Sequence, residues 1–438
     1  MDGRVAADAR APADARVTAS APAPTGAWAL DAFARFDPAR VPSPCFVVDA
    51  ASVRANLAVL ERVGLEGGAS VLSALKAFSF PALGPTVAEH LAGTCASGLH
   101  EALLGAREYV AEGRPNEVHV YSAGYTEADL AGVLGIAHHV VFNSFAQWRR
   151  FRPQCLAARE TRPGLAFGLR VNPEHSEGAV PIYDPCAPGS RLGITAEAFR
   201  AALERDPDAL DGITGLHFHT LCEQGLPPLE RTLAAVEARF GAWLPAMDWL
   251  NLGGGHHVTA EGYDVDGLVR LLRGVADRLG LHPIVEPGEA VAIHSGALVA
   301  EVLDAPEAEV AAGAGADAFG QTILDTSATC HMPDTLEMPY RAAVRGARRP
   351  GESASHPHAH RLGGTTCLAG DVIGDYAFER PLAVGDRLLF EDMAHYTMVK
   401  TTTFNGVALP SIALWDSATD ALRLVGRFGY EDFRSRLG

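Results

Sequence analysis

From about residue 45 the chain alternates short apolar runs with segments whose apolar positions recur every three to four residues. The first run, Phe46 to Asp49, follows Pro42 and Pro44. Val53, Leu57, Leu60 and Val63 then stand at helical spacing. Eight further runs read as strands: Val71 to Lys76, Thr94 to Ser97, Val118 to Ser122, His139 to Ser144, Ala166 to Val171, Thr214 to His219, Trp249 to Gly254 and Pro283 to Glu286. Helical patterns separate them, among them Glu101 to Val110, Phe145 to Ala157, Ala196 to Leu203, Leu229 to Phe240 and Val265 to Leu279. Repeated βα units predict a parallel sheet with helical crossovers. Eight of them predict a closed β/α barrel of the TIM type, with a doubly wound open sheet as the alternative.

The pattern changes after residue 296. Leu298 to Leu303, Arg387 to Phe390, Ile412 to Trp415 and Leu422 to Val425 are β-like runs between turn residues, which predicts a C-terminal all-β domain. Gly346 to Arg361 is polar and rich in breakers and reads as a surface loop. Residues 1–26 are rich in Ala and Pro and lack the apolar core of a secretory signal, so they read as a disordered extension. The expected organisation is that extension, a lead-in over 27–45 packing on the β domain, a barrel over 46–296 and the β domain over 297–438.

Composition narrows the partners. The chain has 438 residues, 48% of them hydrophobic and 20% charged, enough for a large core. Its formal net charge of -17 argues against nucleic acid or an anionic membrane as partner, and no apolar run is long enough to span a bilayer. Seven scattered cysteines with no CxxC pair read as free thiols in a reducing compartment, the cytoplasm.

Chemistry in such a barrel sits at the C-terminal ends of the strands, and several runs end in residues unusual for a core. These are Lys76, then Arg170 with Asn172, then His217 and His219. Gly253, Gly254 and Gly255 come next, followed by His256 and His257, and last Glu286 and Glu289. A lysine at the end of an apolar strand is solvated, paired or functional, and burial turns its amine into a nucleophile suited to Schiff-base chemistry. A lysine that merely reaches out to water is the competing reading. Three glycines let backbone N–H groups approach a phosphate, or simply make a tight turn. Glu286 suits a cationic ring nitrogen, or an ion pair with Arg170. The histidines are too dispersed for a zinc site, and His356, His358 and His360 lie in the polar loop, so no metal is expected.

Eight blocks carry a resemblance: residues 74–79, 185–193, 216–223, 253–257, 286–290, 324–334, 366–371 and 391–397. Together they resemble the fold-type III pyridoxal-phosphate decarboxylases, the group of ornithine, arginine and diaminopimelate decarboxylases. The likeness runs over roughly residues 42–436 and leans toward the branch acting on carboxynorspermidine and carboxyspermidine. It implies a homodimer with active sites where subunits meet, and pyridoxal 5'-phosphate as cofactor. By the same resemblance Lys76 is the cofactor lysine and His219 the histidine stacked on its ring. Gly253, Gly254, Gly255 and Tyr396 hold the phosphate, and Glu286 partners the pyridine nitrogen. Cys367 is the cysteine given by the second subunit, and a thiol of near-neutral pKa would suit return of the proton to Cα.

One departure points to the substrate. Ornithine and diaminopimelate decarboxylases have an arginine where this chain has Glu289, and a glutamate favours a cation. Glu289 and Asp325 are therefore expected to contact amines of a carboxylated triamine. Arg191 is expected at a carboxylate, with His331 and Asp371 as further substrate contacts. Asp334 and Glu337 add acidic groups nearby. Carboxynorspermidine and carboxyspermidine differ by one methylene, worth only about 1–3 kcal/mol in a pocket, and the sequence leaves both open. The rivals are a diaminopimelate decarboxylase, a racemase or a non-catalytic carrier of the same fold.

Overall fold

The structure, a computed structural model, describes residues 32–178, 181–305 and 319–438. The predicted extension over 1–26 lies outside them. Two sheets organise the chain. The first is a closed barrel of eight parallel strands: β2 (Ser70–Ala74), β3 (Gly93–Ala96), β4 (Glu117–Tyr121), β5 (His139–Phe142), β6 (Ala166–Arg170), β7 (Gly215–His217), β8 (Trp249–Asn251) and β9 (His282–Val285). All eight predicted runs are barrel strands, and the register closes with β2 against β9. The open-sheet alternative is excluded.

The helices α2 (Gly84–His90), α3 (Leu99–Glu108), α4 (Glu127–Ile136), α5 (Phe145–Thr161), α6 (Ala196–Arg205), α7 (Leu226–Phe240) and α8 (Val265–Leu279) are the crossovers. The preceding α1 (Ala50–Gly67) fills the gap between α8 and α2 and completes the outer ring. The apolar stripes of these helices pack on the outer strand faces as one core. Inside, Leu72, Val141, Trp249 and Ile284 form a small plug. Gly168 and Gly215 make room for the Trp249 indole: a Cβ at Gly215 would stand 2.0 Å from its ring.

The second sheet runs β13–β12–β11–β10–β1–β15–β16, with β14 also paired to β10. Its strands are β1 (Cys45–Asp49), β10 (Gly296–Asp304), β11 (Gly320–Leu324), β12 (His358–Gly363), β13 (Val372–Phe378), β14 (Arg387–Glu391), β15 (Ser411–Asp416) and β16 (Ala421–Gly426). It is mixed rather than antiparallel throughout, because β1 lies parallel to β15 and β11 parallel to β12.

Two expectations need correction here. The run from Phe46, assigned above to the start of the barrel, is a central strand of the second sheet. All five residues of β1 are buried, Val48 in the barrel's core and Phe46 in the second domain's own. A run buried on both faces has no alternation to show which sheet owns it. The polar stretch Gly346 to Arg361 is not loop to its end, since His358 already begins β12. His360 is buried there, with Nδ1 2.8 Å from Thr322 Oγ1.

Upstream, Phe33 and Phe36 pack on Trp415 of β15 at ring distances of 5.6 and 5.0 Å. Asp49 joins the two bodies. Its carboxylate caps α1 through the Ser52 N–H (3.1 Å) and also accepts the Ser417 N–H (2.8 Å) at the β15–β16 turn. Among the described residues no helix is long and apolar enough to cross a membrane.

Candidate active site

The C-terminal ends of the barrel strands open into a cavity of about 810 Å³. Lys76, Arg170, Arg191, His219, Gly255, Glu289 and Tyr396 from the sequence reading all line it. Lys76 lies two residues past β2 in a turn rather than on the strand. Its Nζ is 3.4 Å from His219 Nε2. The Gly254 N–H donates to His219 Nδ1 (3.0 Å). That bond makes Nδ1 the acceptor and leaves the imidazole proton on Nε2, facing the lysine. Burial, and then the Lys76 charge, hold His219 well below the usual imidazole value, so the ring is neutral.

The glycine run is a cradle that side chains would fill. Gly253 and Gly255 have φ of +69° and +84°, the left-handed region that glycine enters freely. A Cβ at Gly254 would stand 2.0 Å from the Glu286 carbonyl, and one at Gly255 1.9 Å from that of Leu221. Tyr396 stands opposite on its own left-handed turn (φ +50°), its N–H bonded to the Ala77 carbonyl two residues before Ser79.

Glu286 directly follows β9. Its Oε1 accepts from Asn251 Nδ2 (2.7 Å), and its Oε2 is 3.6 Å from His217 Nε2. Burial pushes this carboxyl up, but His217 and Asn251 override it and hold it far below the usual carboxylate range. Arg170, the alternative partner, turns elsewhere. It donates to the His219 carbonyl (3.0 Å) and lies 4.6 Å over the Tyr121 ring. A buried anion is thus kept beside the glycine cradle, outside the residues that line the cavity itself. A nucleophilic amine, a backbone phosphate cradle, a neutral ring and a fixed anion are the set that pyridoxal 5'-phosphate requires, and these residues fit it.

Glu289 begins the short helix α9 (Glu289–Ala292) at the cavity wall. Its Oε2 is 2.7 Å from His257 Nε2 and its Oε1 3.4 Å from His395 Nδ1, while His395 Nε2 reaches Asp392 Oδ1 at 3.1 Å. Burial raises the Glu289 carboxyl, yet the two imidazoles override it and keep it ionised. Burial lowers His395, yet Asp392 and Glu289 hold it well above the usual value. Glu289 is therefore an ionised carboxylate braced at the cavity wall by two imidazoles.

Three expected substrate contacts, Asp325, His331 and Asp371, do not line the cavity of the subunit that carries them. Asp325 accepts the Glu301 N–H (2.8 Å) and ties β11 to β10. His331 is fully buried between Thr326 Oγ1 (3.0 Å) and the Ala408 carbonyl (3.1 Å). Asp371 is a buried hub, accepting from Ser327 Oγ (2.9 Å) and from the N–H groups of Thr329 and Thr366 (3.2 Å each). Each is a polar group satisfied inside the fold. Cys367 is exposed, its N–H bonded to Asn405 Oδ1 (2.8 Å), and it does not line this subunit's cavity.

Two wall residues were not singled out from the sequence as site residues. Glu223 lines the cavity with φ +52°, a left-handed backbone rare for glutamate. Burial, and then Glu289, raise its carboxyl above the usual range. Lys400 also lines the cavity, its ammonium in contact with both Asp334 and Glu337.

Known proteins match this arrangement. The family model described as pyridoxal-dependent decarboxylase, C-terminal sheet domain, matches residues 45–394. A carboxyaminopropylagmatine decarboxylase from Synechocystis sp. is 44% identical over 402 residues, covering 91% of this chain and 96% of that protein. A carboxynorspermidine/carboxyspermidine decarboxylase from Campylobacter jejuni is 40% identical over 405 residues, covering 91% and 99%. The crystal structure of the Campylobacter jejuni carboxynorspermidine decarboxylase complexed with norspermidine superposes with a TM-score of 0.78 at 38% identity, covering 90% of this chain and all of that one. From its cradle, its lysine and these matches, the chain belongs to the pyridoxal-dependent decarboxylase family.

Proposed function

We propose that this enzyme decarboxylates a carboxylated polyamine, carboxynorspermidine or carboxyspermidine, to norspermidine or spermidine with release of CO₂. The observation that carries the reading is Glu289, a carboxylate kept ionised at the cavity wall. Diaminopimelate would bring a distal carboxylate to that wall and be repelled; a secondary or terminal ammonium is attracted. When bound, pyridoxal phosphate supplies the electron sink for the charge left at Cα as the carboxylate departs. Lys76 would hold the cofactor through its amine, and Glu286 would keep a proton on its ring nitrogen. Neutral His219, fixed by the Gly254 N–H, offers a flat face without adding positive charge. Arg191 and Arg170 at the cavity wall attract the substrate's carboxylate.

A second reading has one observation in its favour. The Synechocystis sp. relative at 44% identity is named for a substrate ending in guanidinium rather than ammonium. Steady-state kinetics over carboxynorspermidine, carboxyspermidine, carboxyaminopropylagmatine, meso-diaminopimelate and ornithine separate these readings. The expected order of kcat/KM places a carboxylated triamine first. A preference for diaminopimelate or ornithine would overturn the proposal, and a preference for the guanidino substrate would establish the second reading.

The active enzyme is proposed to be a cytoplasmic homodimer in which Cys367 of the partner subunit returns the proton to Cα. Cys367 is exposed on a loop braced by Asp371, which suits delivery to a neighbouring cavity, and all seven cysteines are free thiols. Mixing inactive Lys76→Ala and Cys367→Ala proteins should restore up to about a quarter of wild-type turnover, because hybrid dimers hold one intact site. No recovery after verified subunit exchange would rule out the shared site.

A further inference from the structure

Lys400 is one of only two lysines in the chain. The other is Lys76, and the remaining 34 of the 36 basic residues are arginines. Both lysines line the same cavity. A chain that uses arginine at every other cationic position keeps lysine where a guanidinium will not serve. At Lys76 the reason is a nucleophilic amine. Lys400 shows a different environment. Its ammonium sits between Asp334 and Glu337, and Tyr183 Oη stands 3.5 Å from Asp334 Oδ1 on the same wall. Burial lowers its pKa, but the two carboxylates override this and keep it charged.

A permanent bridge between two carboxylates would be better made by arginine, whose planar fork donates to both at once. A lysine ammonium is a compact charge with no fixed geometry. It is also the same chemical group as the end of a polyamine. We infer that Lys400 is a specificity-determining residue that holds the Asp334–Glu337 pair in the free enzyme and yields it to the cationic far end of the substrate. The inference rests on the polyamine reading given above. One cation replaces another, so the carboxylate pair is never left uncompensated. A ligand with a neutral or anionic far end has nothing with which to displace Lys400, and is selected against.

The test measures norspermidine binding to the pyridoxal-phosphate-loaded enzyme by calorimetry, beside KM for carboxynorspermidine, in wild type, Lys400→Met and Lys400→Arg. With no resident cation to displace, Lys400→Met should bind norspermidine about two- to fivefold more tightly, with a parallel fall in KM, a step the size of one partly exposed charge pair. Lys400→Arg, whose fork does not yield the pair, should bind roughly tenfold more weakly. A fixed structural bridge gives the reverse order, with Lys400→Arg like wild type and Lys400→Met weakened. That order, or no change in either variant, overturns the inference in an enzyme that still turns over the triamine. A wild-type enzyme that neither binds norspermidine nor releases CO₂ from carboxynorspermidine overturns the polyamine reading itself, and the inference with it.

Discussion

Replacing Lys76 with alanine should lower CO₂ release by on the order of 10³-fold or more, the scale on which loss of a reacting nucleophile is felt. Lys76 lies in a turn beyond β2 with its Nζ toward His219, and its neighbours Leu75 and Ala77 are fully buried. Truncation at Cβ removes the amine without touching that packing, so the melting temperature should stay close to that of wild type stripped of its cofactor. The cofactor's visible absorbance on the protein should disappear along with turnover. Retained turnover in a Lys76→Ala enzyme would mean that another group anchors the cofactor.

Glu286→Gln carries the second large effect. The carboxylate is held ionised beneath the cavity by Asn251 and His217. A glutamine of the same size keeps the Asn251 contact but loses the charge. It can no longer favour a proton on the cofactor's ring nitrogen, and so weakens the electron sink at the moment the carbon–carboxylate bond breaks. A kcat lower by about 10²–10³-fold is expected, the usual cost of removing one electrostatic group aimed at developing charge. KM should move little, because the interaction strengthens mainly in the transition state. A large rise in KM with kcat intact would instead make Glu286 a binding residue.

The sequence showed the barrel because parallel strands buried on both faces read as unbroken apolar runs, and each of the eight ended in something chemical or in a turn. The same property hid the ownership of β1, whose five buried residues look like any barrel strand. The three strands β11, β12 and β13 escaped for the opposite reason. HAHRLG in β12 and VIGDYAF in β13 mix polar and apolar residues, with burial that does not alternate cleanly. Their pairing is set by neighbours far along the chain.

At the site, Lys76, His219 and Glu286 were legible because each is polar at the end of an apolar strand, where burial without purpose is costly. Asp325, His331 and Asp371 were legible as polar residues in recognisable blocks but not as groups bonded within their own subunit, because such a residue can as easily brace a turn as touch a substrate. The hydrogen bonds of Asp371 to Ser327, Thr329 and Thr366 show the bracing. Glu289 was legible as an acid but not as one committed to His257 and His395, residues 32 positions before and 106 after it. Lys400 could have been found by counting, since a chain with two lysines points to both.

The scarcity of lysine lets the cofactor's point of attachment be read chemically. Borohydride reduction of the loaded enzyme fixes the bond between the cofactor's aldehyde carbon and the lysine amine, and peptide mass spectrometry then locates the added mass. The mass of reduced pyridoxal phosphate is expected on the peptide carrying Lys76 and not on the peptide carrying Lys400, the only other lysine. Label on Lys400, or on neither peptide of a protein shown to bind the cofactor, would contradict Lys76 as the cofactor lysine.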